Sequence, residues 1–362
     1  MSDDFNEVDY LNRHLRTSSS EIQPTLDRLV ALSHGKGPHA DLYREMLLTI
    51  VRMAQAERDR WDAKILLHTM RELEQSFARL DSFKRRRKVT VFGSARTPVS
   101  HDLYLLAREM GATLARHDFM TITGAGAGIM AAAHEGAGLD NSLGFNITLP
   151  FEQRSNDVVH GTDHDLSFKF FFLRKLFFVK EAEALILFPG GFGTLDETLE
   201  VLTLVQTGKS PVVPIILLDT PGGQYWVKLL EFFREQLCAS RYVLETDLNL
   251  ISLAHSPEQA MDHILRFYHN YHSARWIDGR YELRLNHPLT GDALQTLEKR
   301  FQDLCKEPGF VQKGGGEAGV YEQELSEMTR LSFVFNGRDL GRLRALIDFV
   351  NQPAHLENPD TA

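Results

Sequence analysis

The sequence predicts an α/β fold in which a doubly wound parallel sheet is covered by helices on both faces. Strand-like and helix-like segments alternate from residue 88 to about 270, and several strands are almost wholly apolar. Glycine or serine turns follow three of these strands, which is typical of α/β proteins that bind ligands at the sheet edge. The expected organisation is a helical region at 1–85, the α/β domain at 86–272, a small α+β unit at 275–352 and a flexible tail at 353–362.

The N-terminal region contains one long helical pattern. No glycine or proline occurs from His39 to about Phe83, and five apolar residues recur at alternating steps of four and three. They are Leu66, Met70, Leu73, Phe77 and Leu80. Such a seam serves either to pack the helix on its own domain or to join subunits of a dimer or tetramer, and both alternatives stay open.

The α/β domain begins with the strand "KVTVF", followed by a helix from Asp102. The stretch "FMTITGAGAGIMAAAHEGA" predicts a strand, a glycine turn and a helix, and "SLGFNITLP" predicts the next strand. Residues 166–182, with several aromatic residues, predict a helix. The remaining segments predict strand, turn and helix at 183–208, a strand at 211–219 and a helix at 225–238. This pattern is Rossmann-like.

The C-terminal unit predicts the order β-α-β-β-α. The segment "YELRLN" alternates like a strand and precedes a helix over 291–305. A short strand in "GFVQKGGG", a strand in "RLSFVFN" and a helix over 339–351 follow. This order is typical of a small α+β sandwich.

Composition limits the classes of function. The formal net charge of -9 gives no general attraction to nucleic acid or membranes, although the run "KRRRK" at 84–88 is basic. Two cysteines without a Cys-x-x-Cys pair argue against a disulfide framework and fit a reducing compartment. No signal peptide is recognisable at the polar N-terminus, and no apolar run approaches the ~20 residues that span a bilayer. We expect a cytoplasmic protein without nucleic-acid or membrane partners.

The three turns are candidate anion sites. They are Gly93-Ser94, the glycine turn of residues 124–128, and Pro189 to Thr194, and each opens a helix. Free N–H groups and the positive dipole end at a helix start attract an anion, and glycine allows it to approach the backbone. The chain lacks the Gly-Lys-Ser/Thr ending of a Walker loop and the acidic residue expected of an NAD site. A monophosphate is therefore the expected ligand.

Charged residues near these turns are candidates for chemistry. Arg174, on an aromatic helix, needs an anionic or carbonyl partner if it is buried. Glu197 lies one turn into the helix after Thr194, and Glu200 follows on the same face. The alternatives are a structural salt bridge for Arg174 and a favourable first-turn acid for Glu197. Two acids and an arginine around a phosphate suit cleavage of a glycosidic bond in a sugar phosphate.

The motif "PGGFGTLDE" fits the pattern P-G-G-x-G-T-x-x-E, and residues 89 to about 270 also contain "FGSAR", "TGAGAGIMAAAHEGA" and "GFNITLPFEQ". Through these motifs the region resembles the Lonely Guy (LOG) family, whose members are often labelled possible lysine decarboxylases. The flanking regions look like those of extended bacterial members. The resemblance implies phosphoribohydrolase chemistry, in which a nucleoside 5'-monophosphate gives free base and ribose 5-phosphate. It places the family's conserved arginine on Arg174 and its glutamate on Glu197, as the catalytic pair.

The resemblance also implies a small-molecule nucleotide substrate and a homo-oligomer. The remaining expected substrate-binding residues are Gly93, Ser94, Gly124, Gly126, Gly128, Met130, Lys175, Pro189, Gly190, Gly191, Gly193, Thr194 and Glu200. No cofactor is expected, since nothing marks a Schiff-base lysine for pyridoxal phosphate. The segment "HGTDHD" at 160–165 matches no zinc spacing, so no metal is expected either. The alternative function is a carrier that holds a nucleotide or the molybdenum cofactor without catalysis.

Overall fold

The computed structural model describes residues 21–34, 39–56, 59–148, 154–314, 325 and 327–357 of the chain. It divides into two compact units, residues 1–73 and residues 74–362. No helix among these residues is long and apolar enough to cross a membrane.

The first unit contains helices α1 (Ile22–His34), α2 (Ala40–Gln55) and the beginning of α3 (Arg60–Asp81). Leu26, Val30 and Leu48 are buried within it. Arg44 on α2 donates from Nε to the Asp27 carboxylate of α1 over 2.6 Å. A small apolar core and an ion pair between helices therefore hold α1 against α2.

The second unit is built on a seven-stranded parallel sheet in the order β4-β3-β2-β1-β5-β6-β7. Its strands are β1 (Lys88–Phe92), β2 (Met120–Thr123), β3 (Ser142–Ile147), β4 (Asp165–Phe168), β5 (Ala184–Leu187), β6 (Ile215–Leu218) and β7 (Ile251–Ala254). Its helices are α4 (Asp102–Arg116), α5 (Ile129–Ala137), α6 (Phe171–Glu181), α7 (Phe192–Gln206), α8 (Tyr225–Phe232) and α9 (Pro257–Phe267). The Rossmann-like α/β fold predicted from the sequence is thus confirmed.

The strand order reverses between β1 and β5. The chain moves outward from β1 through β2 and β3 to β4, and then returns to place β5 on the other side of β1. Phe92 pairs with Leu187, so the turns after the two strands emerge side by side. Ligands of doubly wound sheets bind at such a switch point. The fold therefore brings the Gly93-Ser94 turn next to the Pro189 to Thr194 turn.

Burial on both faces of the sheet explains its apolar central strands. Every residue of β1, β5 and β6 is buried. Helices α4 and α5 pack on one side through residues such as Met110, Leu114 and Ile129, each with no exposed surface. The aromatic helix α6 packs its buried Phe177 and Phe178 against Phe145 of β3.

The basic run at 84–88 is used within the fold. Arg86 donates to the Asp140 carbonyl and the Asn141 side chain. Arg87 pairs with Glu183 and lies over the rings of Phe119 and Tyr268. Lys88 is buried and pairs with Glu181 over 3.3 Å. These contacts fasten the entry to β1.

Four elements of this unit differ from the sequence predictions. Residues 165–168 form the edge strand β4, whereas a helix was predicted from residue 166. At the opposite edge, β7 and the helix α9 were not predicted individually. The helix predicted over 225–238 changes after Phe232 into a π-helical turn, Phe233–Cys238.

The C-terminal part carries a second, antiparallel sheet in the order β10-β11-β9-β8. Its elements are β8 (Tyr271–Ile277), β9 (Arg280–Leu285), α10 (Gly291–Phe301), β10 (Val311–Lys313), β11 (Thr329–Phe333) and α11 (Leu340–Val350). The strand β8 was missing from the predicted order, which is β-β-α-β-β-α instead. Part of the predicted flexible tail is also ordered, since Pro353–His355 form a short helix and Leu356 pairs with Leu289. Residues 358–362 lie outside the described residues.

Asn351 joins the last helix to the end of α9. Its side-chain oxygen accepts hydrogen bonds from the backbone N–H groups of Asn270 and Tyr271, at 2.8 and 2.7 Å. Its amide nitrogen donates to the Phe267 carbonyl over 2.6 Å. Asn270 donates in turn to the Val350 carbonyl. Because all of these groups are buried, they satisfy polar atoms that water does not reach.

Candidate functional site

A cavity of about 720 Å³ opens where β1 and β5 end. It is lined by the Gly-Ser turn after β1, the glycine turn after β5 and the first turns of α6 and α7. The lining residues are Phe92, Gly93, Ser94, Ala95, Arg96, Met130, Phe171, Arg174, Gly190, Gly191, Phe192, Gly193, Thr194, Leu195, Asp196 and Glu197.

The turn after β5 is held tightly against the turn after β1. The Ser94 N–H donates to the Pro189 carbonyl over 3.3 Å, and the Tyr225 hydroxyl donates to the Gly190 carbonyl over 2.7 Å. A Cβ on Gly190 would lie 2.1 Å from Thr194 Oγ1 and 3.0 Å from the Ser94 nitrogen. Only glycine therefore fits at position 190 without moving the turn.

The first turn of α7 supplies hydrogen-bond donors to the cavity. Gly191 caps the helix without a side chain, and the Leu195 N–H is the first to bond back to it, over 3.1 Å. The N–H groups before it, at residues 192–194, belong to the helix start that has no intrahelical acceptor. The buried Thr194 adds its hydroxyl. A helix start of this kind attracts an anion through both its N–H groups and its dipole.

Arg174 reaches the cavity from α6. Its Nε donates to the Phe145 carbonyl over 2.8 Å, and its guanidinium lies over the Phe178 ring at 5.1 Å. A Cβ on Gly124 would lie 2.3 Å from its Nη2, so Gly124 makes room for the side chain. Burial lowers the pKa of Arg174, while the charge of Glu197 acts in the opposite direction. The side chain keeps its charge, because an arginine guanidinium is not deprotonated in proteins.

Glu197 lies within the same cavity, on the second turn of α7. Burial raises the pKa of this carboxyl to about 7, and the positive charges of Lys175 and Arg174 oppose that rise. The carboxylates of Glu200 and Asp196 add to it. Glu197 therefore exchanges a proton near neutral pH, which is the range in which a carboxyl can act in acid-base catalysis.

Lys175 is engaged by two carboxylates of α7. Its Nζ lies 2.7 Å from Asp196 Oδ2 and 2.5 Å from Glu200 Oε2. Burial acts to lower the pKa of Lys175, but the hydrogen bonds to Asp196 and Glu200 outweigh it and the pKa is raised. These ion pairs link α6 to α7 and so fix the helix that carries Arg174 relative to the one that carries Glu197.

The glycine turn after β2 is packed rather than open. Gly124, Gly126 and Gly128 are buried. Asn156 donates from its backbone N–H to the Ala125 carbonyl and from its side chain to the Gly126 carbonyl. The N–H of Ile129, the first residue of α5, donates to the Ser94 carbonyl. Two backbone acceptors of this turn and the start of α5 are thus committed to the protein itself.

The cavity brings together nine of the residues predicted from the sequence. They are Gly93, Ser94, Met130, Arg174, Gly190, Gly191, Gly193, Thr194 and Glu197. The other predicted residues are not among its lining residues; they are Gly124, Gly126, Gly128, Lys175, Pro189 and Glu200. Sequence reasoning missed Arg96, Phe171, Phe192 and Asp196. The positions of two of them could have indicated a role, since Arg96 lies two residues after the Gly93-Ser94 turn and Asp196 lies inside the glycine motif.

His164 and Asp165, in the segment 160–165 that was considered for metal binding, make hydrogen bonds within the protein. His164 Nδ1 lies 2.7 Å from the Ser142 carbonyl, and Asp165 accepts a hydrogen bond from Ser155. Within the described part of the chain, no group of three or more His, Cys, Asp or Glu residues is arranged to hold a metal ion.

Comparison with known families gives one match within the parallel-sheet region. Residues 127–264 match the family model described as "Possible lysine decarboxylase". This stretch contains Arg174 and Glu197 but not the Gly93-Ser94 turn. The match agrees with the resemblance drawn from the glycine motif, and that resemblance is confirmed by the curated relatives.

Two curated relatives are plant proteins. The "Probable cytokinin riboside 5'-monophosphate phosphoribohydrolase LOGL3" of Oryza sativa subsp. japonica is 34% identical over 99 residues, covering 27% of this chain and 44% of the relative. The corresponding LOG6 of Arabidopsis thaliana is 37% identical over 78 residues, covering 22% of this chain and 37% of the relative. The chain thus spans less than half the length of these relatives.

A solved structure is similar to about half of this chain. The molybdenum cofactor binding protein from the phototrophic bacterium Rippkaea orientalis shares 22% sequence identity, with a TM-score of 0.35. The match covers 49% of this chain and 94% of that protein.

Proposed function

Because the parallel-sheet region carries the Lonely Guy family pattern, we propose that this protein hydrolyses the N-glycosidic bond of a nucleoside 5'-monophosphate. The products are the free base and ribose 5-phosphate. One observation carries the proposal: the open helix start at residues 191–194, Arg174 and a near-neutral Glu197 line a single cavity. An anion site beside a carboxyl suits a phosphorylated sugar.

The 5'-phosphate binds at the start of α7 in this proposal. A Cβ on Gly191 or Gly193 would meet no atom within 4 Å, so the space beside the backbone is open to a ligand. The N–H groups of the first turn and the Thr194 hydroxyl donate to phosphate oxygens. Phosphate binding then uses contacts remote from the reacting bond to hold the ribose in place.

Glu197 acts at the anomeric carbon. Cleavage of the bond between C1' and the base nitrogen leaves positive charge on the ribose ring, and a carboxylate beside C1' stabilises that charge. The bond electrons go to the base, which takes a proton, and a water oxygen adds to C1'. Glu197 in its ionised form stabilises the cation or accepts the proton of that water.

Arg174 acts on both Glu197 and the substrate phosphate. With Nε committed to the Phe145 carbonyl, the guanidinium is held rigidly beside the cavity. Its charge favours the ionised form of Glu197 and attracts the phosphate. We assign Lys175 and Glu200 to bracing α6 against α7 in the free protein, because their ion pair joins the two helices. This replaces the substrate-binding roles expected for Lys175 and Glu200.

Incubation with AMP tests the proposal. Adenine and ribose 5-phosphate should appear in equal amounts by chromatography, and a panel of other nucleoside monophosphates should identify the preferred base. Adenosine, which lacks the phosphate, should be cleaved poorly. AMP binding without release of adenine would favour the alternative, a carrier protein, and the absence of both binding and cleavage across the panel would contradict the proposal.

A further inference from the structure

We propose that the protein has a second anion site, which binds a phosphate-bearing small molecule between α9 and the C-terminal helices. A cavity of about 1080 Å³ lies there, lined by residues of 248–252, α9, α10 and α11. Its charged lining residues are Arg266, Arg300, Arg342, Arg344 and Asp348, with His263 and His269. Three of the four arginines pair with aspartates, Arg266 with Asp262, Arg342 with Asp303 and Arg344 with Asp348, so their positive charge is partly balanced within the protein. None of its lining residues belongs to the cavity at β1 and β5.

Arg344 is the central observation. Its side chain is only 6% exposed, and its Nε donates to Asp348 Oδ1 over 2.9 Å. The guanidinium lies over the Phe267 ring at 4.8 Å. Its Nη1 is buried and has no hydrogen-bond partner. A buried charged donor without an acceptor is costly, and an anion in the cavity would supply the missing acceptor.

His269 provides a second donor or acceptor of the same kind. It follows α9 and lines the cavity, and its Nε2 is buried without a hydrogen-bond partner. Two polar atoms on different elements are thus left without partners around one space. A local packing defect in one helix would leave one such atom without a partner, not two atoms from different parts of the chain beside the same cavity.

Arg342 and Arg300 are held in place by contacts within the protein. Arg342 donates from Nε to Asp303 over 2.9 Å, and its guanidinium covers the Phe301 ring at 4.5 Å. Arg300 lies over the rings of Phe301 and Phe349, at 5.3 and 5.9 Å. Such anchored guanidinium groups lose little side-chain entropy when they bind a ligand.

Phosphate is the ligand class that this arrangement fits. The planar guanidinium fork binds phosphate oxygens through two parallel hydrogen bonds, and Arg344 keeps its buried Nη1 without a partner beside the cavity. The volume of the cavity exceeds what a bare phosphate fills. The ligand is therefore a pyrophosphate group, either free or carried by a nucleoside.

Calorimetric titration of the full-length protein tests this proposal with pyrophosphate, ADP and inorganic phosphate as probes. The variants are Arg344→Gln and Arg300→Gln, with Arg338→Gln as the matched control. Arg338 is an exposed arginine of the same part of the chain that does not line the cavity. Hydrogen exchange of residues 340–350 locates the binding, because pyrophosphate also has access to the start of α7.

Wild type and Arg338→Gln should bind pyrophosphate alike and gain protection over 340–350. Arg344→Gln should bind at least tenfold more weakly at this site, and Arg300→Gln decides the outcome if Arg344→Gln does not fold. Tighter binding of ADP than of pyrophosphate would identify a nucleoside-linked ligand, and the reverse a free one. No protection of 340–350 in the wild type, or equal binding by all folded variants, would overturn the proposal.

Discussion

Glu197 is a carboxyl that is half ionised near neutral pH, because burial raises its pKa to about 7. Replacing it with glutamine keeps the shape of the side chain and removes the charge. If the charge acts mainly in the transition state, kcat with AMP should fall by ~10²–10³ while KM changes little. Glu200→Gln, which alters a carboxylate that does not line the cavity, should stay within about tenfold of the wild type. A folded Glu197→Gln protein with near-normal kcat would remove Glu197 from the mechanism, and Glu200 would become the candidate.

The same pKa predicts the pH dependence of activity. Since the ionised form of Glu197 is the active one, kcat/KM should rise with pH through about 7 and then level off. Arg174→Gln removes a charge that lowers this pKa, so the rising limb should move to higher pH. Rate measurements from pH 5 to 9 check both expectations, and Glu197→Gln should show no such limb. An unchanged limb in Glu197→Gln would assign it to another group.

Ionisation of Glu197, which should raise activity as the pH increases, should lower the stability of the folded protein. An acid whose pKa is raised in the folded state holds its proton more tightly there than in the unfolded chain. Its contribution to stability is present below its unfolded pKa and is lost as pH rises from about 4.5 through about 7. Glu197 thus costs stability at the pH at which it acts, a known trade-off at active sites.

At this scale the motif could identify Arg174 and Glu197, but it could not show what Lys175 contacts. Lys175 stands beside Arg174 in the sequence, and only the packing of α6 on α7 places it between Asp196 and Glu200. Contacts between elements distant in the chain depend on how helices pack, which local sequence patterns do not determine.

At the scale of elements, the turn after β5 depends on one glycine more than on its neighbours. Gly190→Ala would force a Cβ against Thr194 Oγ1 at 2.1 Å, whereas Gly193→Ala meets no atom within 4 Å. Gly190→Ala should therefore lower stability by about 1–3 kcal/mol and reduce kcat/KM at least tenfold. Gly193→Ala should keep the wild-type melting temperature, and any loss of activity would then reflect ligand contact alone. Equal melting temperatures for the two variants would contradict this account.

The central strands were predictable and the edge strands were not, for a physical reason. The buried strands β1, β5 and β6 have neighbours on both sides and are apolar except for Lys88 and Thr90 of β1, so their sequences stand out. The edge strands β4 and β7 have four residues each and include partly exposed positions. Residues 165–168 therefore lack an apolar run, and the aromatic residues that follow them extend the helical pattern backward.

At the scale of the whole molecule, we expect a homo-oligomer with active sites near the subunit contacts. Phe171, Phe172 and Leu176 on α6 are about half exposed, and Phe171 lines the cavity. Exposed apolar residues next to a site favour burial by another subunit. Light scattering at micromolar concentration should give a mass of at least twice 41.2 kDa, and Leu176→Asp should lower it. A wild-type protein of 41.2 kDa would contradict this expectation.

The C-terminal helices and the parallel-sheet region share one hydrogen-bond network through Asn351. Asn351→Ala would leave two buried backbone N–H groups, those of Asn270 and Tyr271, without an acceptor. The expected loss is about 2–5 kcal/mol in the free energy of unfolding, measured with urea. Gln352→Ala, at the neighbouring exposed position, should change it by less than about 0.5 kcal/mol. If Asn351→Ala also lowered the free energy of unfolding by less than about 0.5 kcal/mol, the prediction would be wrong, and water would have to satisfy the two N–H groups.

This network also sets an order for biosynthesis. Asn351 follows Asn270 by 81 positions and Tyr271 by 80. A ribosome adding ~5–20 residues each second needs roughly 4–16 s to extend the chain that far. During that interval the amides after α9 have no native acceptor, and Phe267 lacks the covering of Arg344. A nascent chain that ends before α11 would therefore expose these buried groups, and their native burial depends on the last part of the chain being made.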